Sequence, residues 1–221
     1  MAIVSEIVDR QQLVARTTRA SLQPRIELVA KIHELVDRLA WTLADDSALD
    51  TAADLVAAAT RAVGTGAPQP GYVRAVDGVV TGLLPVSELG PFTSALHVTA
   101  PPFTITIHDD NGQRRVTAET TYGNAFEGAR GWVQGGFMAA AFDEVLGLAQ
   151  AGSRRVTVRL ELEYHSPVKL HIPVRYTSWI EKTEGRKAFV VGELHQQDRL
   201  CATARALFVQ PRSQQPPDVR D

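Results

Sequence analysis

Cysteine is almost absent from this 221-residue chain: Cys201 stands alone. A single thiol excludes an intrachain disulfide and any multi-cysteine metal site. Its neighbours Leu200 and Ala202 make it a small core residue. A surplus of charge of one sign is also missing. Twenty-three Lys and Arg face 25 Asp and Glu, a net of −2, whereas a dedicated nucleic-acid binder carries a basic excess or stripe. No apolar run approaches the ~18 residues of a membrane span. The first stretch, Met1 to Arg19, is broken by Glu6 and Asp9 and does not read as a secretory signal. The histidines His97, His108, His165, His171 and His195 show no metal-ligand spacing, His33 reads as a solvated helix residue, and no glycine-rich segment runs into Lys-Ser or Lys-Thr as a phosphate loop would. These absences fit a cytoplasmic protein without a metal.

What is present changes character near residue 65. Residues 3–63 read as helical. Between Arg25 and Leu39 apolar side chains fall at 28, 29, 32, 35, 36 and 39, the 3.6-residue period of an amphipathic helix, with Pro24 suited to the first turn. A second helix is predicted from Thr51, with Asp54 completing a capping-box pattern, to Gly64. Gly64 to Gly71 forms a linker, and 82–102 is irregular.

From residue 103 the period becomes two. Phe103 to Ile107 alternates, Asp109-Asp110-Asn111-Gly112 turns, and Arg114 to Tyr122 returns. A helix over about 135–150 is apolar on nearly every side, so it is buried on nearly every side. Strands follow at 156–164, 173–181, 187–196 and 199–209, the last two joined by a turn at Gln196-Gln197-Asp198. Two strands, a buried helix and four strands with short connections define an α+β fold: a curved antiparallel sheet wrapped around a central helix. The expected organisation is a helical extension over 1–64, a sheet-and-helix domain over 65–210, and a polar, proline-rich tail over 211–221.

The chemistry concentrates in Phe126 to Glu144. Gly135-Gly136 opens the buried helix, where free N–H groups form an oxyanion site that glycine lets a ligand approach. Two turns on, Asp143-Glu144 interrupts the apolar helix, and a carboxylate there must be paired, solvated or used. Tight packing and a plain ion-pair partner are the bland alternatives for the glycines and the acids.

Gln134-Gly135-Gly136, then 137–142, then Asp143, resembles the His-Gly-Gly…Asp signature of hotdog thioesterases of the phenylacetate-pathway and human thioesterase-superfamily type. Val156 to Pro167, ending Tyr164-His165-Ser166-Pro167, resembles that family's next strand. Glu184-Gly185-Arg186-Lys187 resembles its basic hairpin, and Asp198 to Val209 its closing strand. The resemblance spans roughly 84–210. It implies a hotdog fold, a homo-oligomer (a dimer or a dimer of dimers), and hydrolysis of an acyl-coenzyme A with no cofactor beyond the coenzyme A of the substrate. It implies Asp143 as the catalytic carboxylate, the N–H of Gly135, with Gly136, as the group that polarises the thioester carbonyl, and Thr157 as a hydroxyl that places water. Arg159, Tyr164, Lys182, Gly185, Arg186 and Lys187 match positions near coenzyme A. The motif histidine is Gln134 here, which donates and accepts hydrogen bonds but cannot become cationic. Trp132, Phe137 and Met138 are candidates to line an acyl pocket, and Glu144 is a structural partner or the fallback acid.

Geometry adds a constraint. Gly135 and Asp143 stand eight positions apart on one helix, ~12 Å along its axis. The carbonyl oxygen needs a donor at ~3 Å, and the attacking group must come within ~3–3.5 Å of the carbon. One helix cannot supply both to one thioester: either Asp143 is not the catalytic acid, or it comes from a second subunit. The resemblance, to a family that pairs two such helices across a dimer, implies a site combining Gly135 of one chain with Asp143 of the other, twice per C2 dimer. The competing expectations are an acyl-CoA-binding module without turnover, a hotdog dehydratase or hydratase, which wants a histidine this motif lacks, and an interaction role for the N-terminal helices.

Overall fold

The computed structural model describes residues 23–64, 92, 97–99, 101–110, 112–150 and 155–212. The expected helix over 3–22, the linker after Gly64, most of the irregular stretch over 82–102 and nearly all of the tail lie outside these residues.

The N-terminal part is helical as its periodicity implied. Helix α1 (residues 23–39) turns Val29 inward, with Ile26, His33 and Asp37 half-buried on the same face. Helix α2 (Asp46–Val63) begins earlier than the predicted Thr51. Asp45 is the first acceptor available: its carboxylate takes the Ala48 N–H at 2.8 Å and caps the helix. Thr51 lies inside the helix, its hydroxyl donating to the Ser47 carbonyl at 2.9 Å. The helix stops at Gly64, whose φ of 76° lies in the left-handed region that glycine tolerates.

Among the described residues that follow, one six-stranded antiparallel sheet is joined by one α-helix. Strands β1 (Thr104–Asp110) and β2 (Gln113–Thr120) form a hairpin closed at Gly112, φ 80°. Helix α3 (Gly135–Ala149) follows, then β3 (Val156–Tyr164), β4 (Val174–Glu184), β5 (Lys187–Gln196) and β6 (Arg199–Val209). The spatial order is β1-β2-β4-β5-β6-β3. Strand β3 therefore crosses to the far edge and pairs with the last strand. Residues alternate strictly in β5, buried on one face only, as a sheet covered on one side requires. This is the hotdog arrangement.

The inner face of the sheet is a trough of small residues. Gly192, Ser178, Ala188, Ala204 and Ala206 admit α3, whose Met138, Ala141, Phe142, Val145 and Leu146 are buried against it. A Cβ on Gly192 would come within 2.8 Å of the Thr177 carbonyl and 3.0 Å of a Leu146 methyl. Ser178 ties helix to sheet by donating to the Val145 carbonyl at 2.7 Å. Cys201 is buried in this core.

Strand β3 departs from the alternation its sequence suggested. Leu160 and Leu162 are half-buried, but Val156, Val158 and Tyr164 are exposed. Among the described residues β3 is an edge strand with a partner on one side only, and a bulge between Thr157 and Arg159 leaves Val158 outside the ladder with β6.

The extension docks through one carboxylate. Asp37 of α1 accepts the Ala125 N–H at 3.1 Å and the Asn124 amide at 3.3 Å. Both belong to the 3-10 turn Asn124–Phe126 that precedes the glycine motif. His33 adds a 3.1 Å bond to the His97 carbonyl.

Candidate active site

The start of α3 is shaped by Gln134. Its side-chain oxygen accepts the Phe137 N–H at 3.2 Å as the N-cap, and its own N–H donates to the Phe126 carbonyl at 2.9 Å. Glutamine here fixes the loop without charge. The space is tight: a Cβ on Gly128 would stand 2.9 Å from the Gln134 Cα, and one on Gly136 2.8 Å from the Gln134 side-chain oxygen. The N–H groups of Gly135 and Gly136 belong to the first turn of the helix, where no intrahelical acceptor exists. Tyr164, at the end of β3, donates from its hydroxyl to the Gly135 carbonyl at 2.8 Å. Partial burial pushes the Tyr164 phenol above its ordinary value, which keeps it a donor near neutrality. Beside Gly135 an open groove of about 310 Å³ is lined by Met138, Tyr164, His165, Ser166 and Pro167.

Asp143 is half-buried, two turns along the same helix. Its Oδ1 accepts from the Thr157 hydroxyl at 2.9 Å. Thr157 and Tyr164 stand on one strand, so α3 runs alongside the sheet edge with its glycine end at Tyr164 and its acid at Thr157. Adjacent Glu144 is engaged elsewhere, its Oε1 accepting the Phe92 N–H at 2.8 Å.

The basic residues gather at the Asp143 end. Thr157 pairs with Phe208, and Phe208 with Ala188 beside Lys187. The β4–β5 hairpin with Lys182, Gly185, Arg186 and Lys187 thus sits two strands from Thr157, roughly 10 Å away at the usual strand spacing. These cations are partly engaged. Lys182 meets Glu184 at 2.9 Å and lies over the Phe189 ring, Arg186 donates to the Gln210 carbonyl at 2.8 Å, and Arg159 meets Glu161 at 3.4 Å. Within one chain, then, the residues that the resemblance singled out fall into two groups. Gln134, Gly135, Gly136 and Tyr164 form one, and Asp143, Thr157, Arg159 and the hairpin form the other. Trp132 joins neither; it pairs with Lys169 across an isolated bridge and turns toward a separate hollow.

Sequence reasoning passed over His165 and Ser166 as groove residues and Asp37 as the anchor of the extension. The first two follow directly on Tyr164 and were within reach of the strand motif. Asp37 gave no signal, being one acid among several on an amphipathic helix.

A curved antiparallel sheet around a glycine-initiated helix defines a hotdog domain, and residues 131–203 match the family model described as the thioesterase superfamily. The matched stretch runs from the loop before α3 into β6. Two curated relatives are acyl-coenzyme A thioesterases named THEM4. The one from Xenopus laevis is 29% identical over 59% of this chain and 61% of its own length. The one from Bos taurus is 30% identical over 48% of this chain and 46% of its own. The chain thus spans roughly half the length of the curated relatives it matches. Among solved structures, protein RHA08564, a thioesterase superfamily protein, superposes with a TM-score of 0.68 at 24% identity, over 84% of this chain and 94% of that one. Coverage of that extent exceeds what the residues after Gly64 can supply, so the shared fold takes in N-terminal residues as well.

Proposed function

We propose that this protein is an acyl-CoA thioesterase, hydrolysing the thioester of an acyl-coenzyme A to the free acid and coenzyme A. The observation that carries this reading is the Asp143–Thr157 pair: a half-buried carboxylate held by a hydroxyl at 2.9 Å on the helix that the glycine motif opens. Asp143 either activates water, with Thr157 placing it, or attacks the thioester carbon directly. The Gly135 N–H, with Gly136 beside it, stabilises the oxyanion.

The two groups of residues are completed by a second copy. Strand β3 is an edge with Val156, Val158 and Tyr164 exposed, a surface that solitary proteins protect. Antiparallel pairing of two β3 strands about Leu160 and Glu161 lays the Thr157 end of one chain against the Tyr164 end of the other. Asp143 then approaches the Gly135 of the second copy, and the gap of ~12 Å within one helix ceases to matter. The basic hairpin, at the Asp143 end, is placed to meet the phosphates of the same coenzyme A.

The test is coenzyme A release from short, aromatic and long acyl-CoAs, with Asp143→Asn as control. Mixed Asp143→Asn and Gly135→Pro chains should regain one intact site per hybrid dimer; no recovery would overturn the composite site. Tight binding of acyl-CoA with no release of coenzyme A would replace hydrolysis with a carrier role, the reading that Gln134 at the motif position favours.

A further inference from the structure

A second hollow, of about 490 Å³, lies where the extension meets the hotdog domain. Trp41, just past α1, forms one wall. Asn124, Glu127, Arg130 and Trp132 form another, and Lys169 with His171 the third. The size is that of small-ligand sites.

Its polar wall is fixed in place. Asp37 accepts from the Asn124 amide at 3.3 Å, and the Asn124 side-chain oxygen meets His171 Nε2 at 2.8 Å. His171 also donates its backbone N–H to the Tyr122 carbonyl at 2.8 Å. It does so with φ at 60°, a left-handed conformation that a non-glycine residue keeps only where its surroundings hold it.

Positive charge outweighs negative in the lining, Arg130 and Lys169 facing the carboxylate of Glu127. Among the described residues no carboxylate pairs with Arg130 or Lys169. Glu127, the acid in the hollow, accepts the Gly131 N–H on its Oε1. The Lys169 ammonium lies 5.9 Å from the Trp132 ring centre, and Trp41 leaves 54% of its surface open. Two such cations beside an open indole match a ligand with several negative charges and a flat ring. A simple aryl carboxylate would answer only one of the cations.

We propose that this hollow binds a purine nucleotide, the base stacked on Trp41 and the phosphates on Arg130 and Lys169. Two sources carry that chemistry: the phosphorylated adenosine end of a coenzyme A other than the one the β4–β5 hairpin meets, or a free adenine nucleotide acting as an effector. The proposal does not rest on thioester hydrolysis, because binding is read without turnover. It gives the extension a function, since Trp41 lies in it.

The test is calorimetric titration of the full chain with ATP, adenosine 3′,5′-bisphosphate, coenzyme A and benzoate. At least one nucleotide should bind more tightly than benzoate. Arg130→Ala with Lys169→Ala should weaken it at least tenfold, and added salt should weaken it further. Trp41→Ala should cost about tenfold, with Trp41→Phe restoring most of the loss. Binding of the bisphosphate and coenzyme A but not ATP assigns the hollow to the coenzyme end; binding of ATP that leaves coenzyme A affinity unchanged assigns it to an effector. Absence of binding by every nucleotide at millimolar concentration overturns the proposal, as does binding untouched by the charge and Trp41 variants while circular dichroism shows them folded.

Discussion

The Thr157 hydroxyl donates to Asp143 Oδ1 at 2.9 Å, joining the buried helix to the edge strand across the place where the chain is exposed. If the carboxylate does the chemistry, its orientation depends on that hydroxyl. Thr157→Val, which keeps the shape and removes the donor, should lower kcat about tenfold, equivalent to ~1.4 kcal/mol of barrier, with KM little changed. Asp143→Asn should lower kcat by two orders of magnitude or more. Steady-state coenzyme A release from one acyl-CoA reads both, and a Thr157→Val enzyme with unaltered kcat would remove the threonine from the mechanism.

The glycines around α3, in the motif and on β5, divide by what surrounds them. A Cβ on Gly128 would press to 2.9 Å on the Gln134 backbone, and one on Gly192 to 2.8 Å on the Thr177 carbonyl, whereas one on Gly135 would meet only the Tyr164 ring at 3.4 Å. Backbone cannot yield as a side-chain tip does, so Gly128→Ala and Gly192→Ala should each cost about 1–3 kcal/mol by overpacking. Gly135→Ala should stay close to wild type in stability while its activity falls, as the Cβ intrudes on the carbonyl site. Urea denaturation midpoints at constant m value separate the cases.

The order of elements was legible because periods of two and of 3.6 are written in the side chains: the all-apolar Phe137 to Leu148 stretch, flanked by alternating runs, admits few architectures. The Gln134 to Asp143 spacing picked out the candidate site. Three features were not legible. The exposure of Val156 and Val158 depends on which strand lies at the edge, and alternation looks the same in the middle of a sheet. The start of α2 turned on Asp45 competing with Thr51 for the role of cap, a contest between two acceptable residues. The docking of α1 through Asp37 depends on the close approach of Gly123, where a Cβ would run into the carboxylate; no periodicity encodes a contact between residues so far apart in the chain.

That contact makes its own prediction. Asp37→Ala leaves the Ala125 N–H and the Asn124 amide without their acceptor, and removing one partner of such a pair costs ~1–3 kcal/mol. Asp37→Asn keeps an oxygen for one of the two donors and should recover part of the loss. Hydrogen exchange at Ala125 should accelerate in the alanine variant, since its N–H donates directly to the missing carboxylate.

A pair of buried phenols makes stability fall at alkaline pH. The Tyr122 and Tyr176 hydroxyls meet at 2.6 Å in the core. Burial is the largest cause pushing both above the ordinary value of 10.0; for Tyr176 the neighbouring Tyr122 adds to it. The unfolded chain therefore ionises first. Stability from this pair is complete below pH 10 and declines as pH rises toward the folded values, by about 1.4 kcal/mol per pH unit for each tyrosine. Changing both to Phe should flatten that decline in urea titrations at pH 9 to 11. Tyr122→Phe alone strands the Tyr176 hydroxyl and should be the less stable variant at neutral pH.

The edge strand tests the oligomer directly. Val158 is 60% exposed and lies at the bulge, outside the ladder with β6. In an isolated chain a charged residue there costs almost nothing, because surface substitutions away from special features change stability by about 0.5 kcal/mol or less. In a β3-to-β3 dimer paired about Leu160 and Glu161 the same change, Val158→Glu, sets a new carboxylate opposite Glu163 and buries like charges without partners. Sedimentation velocity should then show a monomer with unchanged far-ultraviolet circular dichroism, and coenzyme A release should vanish along with the dimer. A monomeric Val158→Glu protein that still turned over acyl-CoA would mean that Asp143 and Gly135 act within one chain or not together, and the composite site would fail on that result alone.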